Sequence, residues 1–181
     1  MSRIPLVDPA IASGDRKLLL EQIRSAFGVV PNMFRVVAQS NAALRSMWGA
    51  FAALGAGTLP PALGEQIAVA VANRNACDYC LAAHTAIGRN LGVGTAQMAE
   101  AQSGRSTDPK TAAALAFALA MVDRRGQASD AEVAALRAAG FDDEGIVELI
   151  AHVALNLFTN YVNVALRVPV DFPAVKLRKS A

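Results

Sequence analysis

The sequence predicts an all-α protein, a bundle of about eight helices, on three observations. Apolar residues recur at three- and four-residue spacing along nearly the whole chain, the period of a helix that buries one face. No run alternates β-branched and polar residues, as a half-buried strand would. The hydrophobic content, 54%, exceeds that of an ordinary domain, and much of the excess is alanine, which suits closely packed helices.

Each element follows from its start and stop residues. The segment 1–14 contains Pro5 and Pro9 and is expected to be extended, lying across the body or a neighbouring subunit. Asp15 is placed to cap a helix over Arg16–Phe27, which Gly28 closes. Val30-Pro31-Asn32 starts a short helix to about Ala38, and Asn41 is read as the cap of Ala42–Ala56. Leu59-Pro60-Pro61 is a sharp turn with Pro61 at a first helical position, opening a helix from Ala62 to Arg74. Asn73-Arg-Asn75 breaks it, and a helix from near Cys77 runs to Leu91, where Gly92 ends it. Thr95–Gln102 is a short helix, and Asp108-Pro109 opens one reaching about Arg125. Ser129-Asp-Ala-Glu132 is a capping box for Asp130–Ala139. The last and longest helix runs from Asp143 to about Arg167, before Pro169 and Pro173 force an extended tail over 168–181.

The 181 residues suit a single domain, with no linker long or polar enough to divide it. The net charge of +2 is dispersed, and the basic stretch from Lys176 to Lys179 reads as a solvated terminus, not a nucleic-acid or membrane-surface patch. No secretory signal is legible, because Pro5, Asp8 and Pro9 interrupt the first apolar run. No membrane span is expected, since the most apolar segments are too short or carry His152, Asn156, Asn160 and Asn163. A cytoplasmic homo-oligomer fits the surplus of apolar surface.

The chemistry concentrates in one stretch. Cys77 and Cys80 are the only cysteines, spaced C-x-x-C, with His84 four residues on and Glu65 twelve residues before. On a helix Cys77, Cys80 and His84 share a face. The first turn, with its unpaired N–H groups, favours a thiolate, and His84 can accept the proton of Cys80. Hairpin geometry brings Glu65 level with His84 or beyond; its direction depends on helix phase. A second thiol three residues away can resolve an oxidised Cys80 as a disulfide. The set therefore suits peroxide reduction or exchange with a partner disulfide.

The string Glu65-x11-Cys77-x-x-Cys80-x-x-x-His84 resembles the signature of the carboxymuconolactone decarboxylase superfamily, in its alkylhydroperoxidase-D (AhpD-like) branch. Phe27-Gly-Val-Val-Pro-Asn-Met-Phe34 resembles the G-x-x-P-N-x-F segment of that family's peroxidase-related members, and the asparagine-studded helix ahead of Val168-Pro-Val-Asp adds to the likeness. The resemblance implies an all-helical, oligomeric, cofactor-free thiol peroxidase. Cys80 would attack the peroxide, Cys77 would resolve, and Glu65 and His84 would relay protons. A dithiol, thioredoxin-type or lipoyl-type donor would restore the pair. One position departs: Tyr79 stands where the best-known alkylhydroperoxidase has a second histidine, and a phenol is a poor base near neutral pH.

Other readings stay open. The decarboxylase branch generally lacks the cysteine pair, so lyase chemistry fits poorly. A metal-binding or redox-sensing module without turnover would use the same four residues, although three of them sit in barely two turns of one helix, unlike most zinc sites. A thioredoxin motif would follow a strand, and a c-type haem site would need histidine where Leu81 stands. His152 is expected to be a hydrogen-bonded core residue, and Asn156, Asn160 and Asn163 to bridge helices or subunits.

Overall fold

Residues 1–178 are described in a computed structural model. Among them lie nine helices and no strand: α1 Gly14–Phe27, α2 Asn32–Val37, α3 Asn41–Gly55, α4 Pro61–Arg74, α5 Asp78–Asn90, α6 Thr95–Gln102, α7 Pro109–Asp123, α8 Asp130–Ala138 and α9 Asp143–Leu166. The all-α expectation holds, with nine helices where the sequence suggested about eight.

Helix α4 is the axis of the bundle. Leu63, Gly64 and every residue from Gln66 to Asn73 are buried, as expected of a helix that is apolar on all sides. Its alternating alanines and valines let α5, α6, α7 and α9 pack around it. Gly88 on α5 permits a close approach: a Cβ there would lie 3.4 Å from the Cβ of Glu65 and press into Met98.

Several caps stand as expected. Pro61 opens α4, Asp108 accepts from the Thr111 N–H, and Ser129 and Glu132 form a reciprocal capping box. Two differ. Asp15 does not cap α1; the helix starts at Gly14 and Asp15 pairs with Arg45 across a 2.6 Å contact. Ser40, not Asn41, caps α3 by accepting from the Ala43 N–H, because its extended backbone aims the hydroxyl along the helix while Asn41 is already helical.

The ends are tied to the body of the same chain. The Arg3 N–H donates to the Leu166 carbonyl and the Val7 N–H to that of Arg35. The tail, read as solvated, is instead pinned: the Asp171 carboxylate accepts from the Asn32 N–H, the Lys176 carbonyl accepts from Gln102, and the Arg178 N–H donates to Asn73. Lys179 and the rest of the expected tail, residues 179–181, lie outside the described residues.

Helix α9 is long and apolar enough, by length and composition, to cross a membrane. In the fold it packs against α2, α3, α4, α5 and α7, and its buried positions include Asn156, Thr159, Asn160 and Asn163.

Candidate active site

The corner between α4 and α5 sets the two sulfurs. Ala76 adopts a left-handed φ of 52° there, and the Cys77 N–H reaches back to the Ala72 carbonyl at 2.9 Å. The turn closes α4 in the manner usual for glycine. Cys77 then caps α5, its Sγ accepting from the Cys80 N–H at 3.3 Å. Both thiols are free and buried, with Sγ atoms 2.6 Å apart. A disulfide needs only a further closure to about 2.05 Å.

On the next turn of α5, His84 Nδ1 meets Glu65 Oε2 at 2.7 Å. The phase of α4, open in the sequence, therefore points Glu65 inward. Burial opposes charge on this imidazole, but the Glu65 carboxylate, by its charge and its hydrogen bond, raises the His84 pKa above the ordinary value. The imidazolium is the positive charge near Cys80, and the Glu65 carboxylate balances it.

The two thiols diverge. Burial pushes the Cys80 thiol up, yet the Cys77 hydrogen bond, the charge of His84 and the amides of Asn163 and Asn160 together bring it down to about 7 from 9.0. Cys77, donating its S–H to Cys80 and itself buried, is pushed well above the usual thiol range. These surroundings favour ionisation at Cys80 over Cys77, which is left to donate.

Besides Cys77, Asn163 contacts Cys80 directly, its Nδ2 donating to Sγ at 3.2 Å; His84 acts on the sulfur through charge. Asn163 was expected to bridge helices or subunits, and its bond to Cys80 joins α9 to α5. The available signal was the spacing of Asn156, Asn160 and Asn163, which puts three polar groups on one face of an otherwise apolar helix. Asn160 accepts from Asn75 at 2.9 Å, so it too bridges helices.

Tyr79 is buried and lines the cleft at Cys80, its hydroxyl accepting from the Met33 N–H at 3.1 Å and its ring edge-on to Phe172. Burial raises its pKa, so it stays a neutral phenol. The cleft is a small space of about 40 Å³ walled by Phe27, Phe34, Phe51, Ile87 and Phe172. His152 departs from its expected role as a hydrogen-bonded core residue: its Nε2 is buried without a protein partner. It lines a second cavity, of about 130 Å³, together with Glu65 and His84. Among the described residues no three His, Cys, Asp or Glu side chains are arranged to hold a metal ion.

The sequence model of the carboxymuconolactone decarboxylase family matches residues 40–124, the stretch carrying Glu65, both cysteines and His84. A peroxidase-related protein with an alkylhydroperoxidase AhpD core from Ralstonia eutropha JMP134 is 26% identical and superposes with a TM-score of 0.85, over 94% of this chain and 92% of that one. Residues 40–124 are thus similar to the carboxymuconolactone decarboxylase family, and the whole chain shares the fold of an AhpD core. A second solved structure, a peroxidase-related protein from Silicibacter sp. TM1040, is 25% identical with a TM-score of 0.81, over 93% of this chain and 91% of that one. The debrominase Bmp8 shares the AhpD-like fold at 19% identity, with a TM-score of 0.77 over 92% of this chain and 90% of that one. No curated protein sequence matches the chain.

Proposed function

We propose that this AhpD-like protein is a thiol peroxidase of the reducing cytoplasm, in which Cys80 attacks and Cys77 resolves. The observation that carries the reading is the asymmetry of the pair: adjacent sulfurs, one drawn down to about 7 and the other held protonated. A group with a pKa near the working pH is both ionised and nucleophilic.

The steps balance as follows. The Cys80 thiolate attacks one peroxide oxygen, the O–O bond breaks, and the departing alkoxide or hydroxide takes the proton held on His84. Cys80 is now a sulfenic acid. The Cys77 sulfur attacks it, its proton leaves with the hydroxyl as water, and a Cys77–Cys80 disulfide forms. An external dithiol then reduces the disulfide by exchange, leaving a thiol at Cys77 and a thiolate at Cys80; the donor's second proton is released to solvent, and His84 regains one from solvent. Glu65 fixes the imidazole and supports its charge.

The same reading includes a homo-oligomer. Val147, Ile150, Tyr161 and Val164 are exposed along α9, and no charged residue occurs from Leu149 to Leu166. A second copy is the partner such a face suits. The likeness to the debrominase is one of fold and selects no substrate here. No observation favours a lyase or a metal-holding module.

Peroxide consumption with dithiothreitol tests the function. Wild type should turn over hydrogen peroxide, Cys80→Ser should fall to the uncatalysed rate, and Cys77→Ser should react once and stop. Equal rates for wild type and Cys80→Ser would remove the peroxidase.

A further inference from the structure

His84 stands between two cavities of opposite character. The cleft on the Cys80 side is nearly all apolar, and its one other ionisable group, Tyr79, is a phenol already engaged with the Met33 N–H. It offers no polar route by which a proton reaches the buried imidazole. The cavity on the far side is lined by Glu65, Asn156 and His152 as well as by Phe51, Leu54 and Leu155. At about 130 Å³ it has room for roughly four waters at ~30 Å³ each.

His152 Nε2 is buried and has no hydrogen-bond partner among the described residues. An imidazole left so is penalised against one that is paired, and the cavity has room for a water to be that partner. The ring lies over Gly64, next to Glu65 on α4; a Cβ at 64 would come to 3.5 Å from His152 Cε1. The ionisable groups facing it are Glu148 on its own helix, Glu65 on α4 and His84 on α5. Glu148 is committed elsewhere, accepting from the Thr58 and Leu59 N–H groups and the Thr58 hydroxyl. Burial holds His152 below its ordinary pKa, so near neutral pH it is free to take a proton.

We infer that His152 is the outer member of the proton relay, passing protons through the shared cavity between solvent and the Glu65–His84 pair. Every cycle removes one proton from His84 when the alkoxide departs, and the reduction half must return one. His152 and Glu65 carry it from the cavity, so that the apolar cleft at Cys80 stays dry for the attack. His152 is a positioning and relay residue that acts through Glu65 and touches no reacting atom.

The inference rests on the peroxidase reading, and its test lets the two fail separately. Turnover of hydrogen peroxide is measured for wild type, His152→Ala and His152→Gln at pH 7, with and without free imidazole. The rate of Cys80 alkylation by iodoacetamide reports whether the thiol site is intact. His152→Ala should lose about tenfold in kcat, less than the hundredfold or more typical of a direct acid–base group, with KM and alkylation unchanged. Imidazole, entering the space left by the ring, should restore most of the loss. His152→Gln, which keeps a hydrogen-bonding side chain but carries no proton, should be as slow and not recover. Wild-type turnover in either variant, or a loss in His152→Ala that imidazole does not repair, overturns the relay and leaves the peroxidase standing. A wild type that consumes no peroxide removes the function and this inference with it.

Discussion

The two faces of α9 reverse the usual order. Its inner face buries Asn156, Asn160 and Asn163, while its outer face exposes Val147, Ile150, Tyr161 and Val164. An ordinary surface helix does the opposite. The inner face is apolar at Ile146, Leu149 and Val153 and turns polar towards its C-terminal half, where the Asn163 amide helps to offset the burial that would keep Cys80 protonated. The outer face is apolar because, on the reading above, it meets a second copy. On that reading, one helix serves the site on one side and assembly on the other.

Substitutions along α9 separate these roles. The largest effect on stability is expected at Leu149, which is fully buried. Leu149→Ala should cost about 2–5 kcal/mol in denaturant titration, whereas Val147→Ala two residues earlier should stay within about 0.5 kcal/mol. Next comes Asn163→Ala, which removes a hydrogen bond to a charged sulfur worth about 1.5–3 kcal/mol. The Cys80 alkylation profile should then move to higher pH. In wild type its midpoint should lie near 7, since the thiolate persists above its folded pKa and disappears as pH falls through it. A profile unmoved by Asn163→Ala would show the inner face to be structural only. Tyr161→Asp with Val164→Asp should shift the protein towards monomer in light scattering while leaving alkylation unchanged. An unaltered mass would assign the outer face no part in assembly.

The smallest effect lies away from α9, at the corner that sets the sulfurs. Ala76 holds a left-handed φ of 52°, which costs an L-residue about 1–2 kcal/mol relative to glycine. Ala76→Gly should raise the unfolding free energy by about 1 kcal/mol, read as a higher Tm, with Cys80 reactivity retained.

Much of the site was legible from spacing. Cys77, Cys80 and His84 lie within eight residues of one helix, and helical periodicity alone aligns them. Asn163 was not legible as part of the site because it lies 83 residues from Cys80, and only the packing of α9 on α5 unites them. His152 was read as a hydrogen-bonded core residue for a similar reason: nothing local reveals that Gly64 and Glu65 face it across a cavity.

The sequence by itself determined the helices, most of their ends and the order of the chemistry on α5, because caps, turns and periodicity act over a few residues. Tertiary structure decided the inward turn of Glu65, the contact of Asn163 with sulfur and the isolation of His152. Those depend on the rotation of one helix against another, which is set by how all the buried side chains pack together.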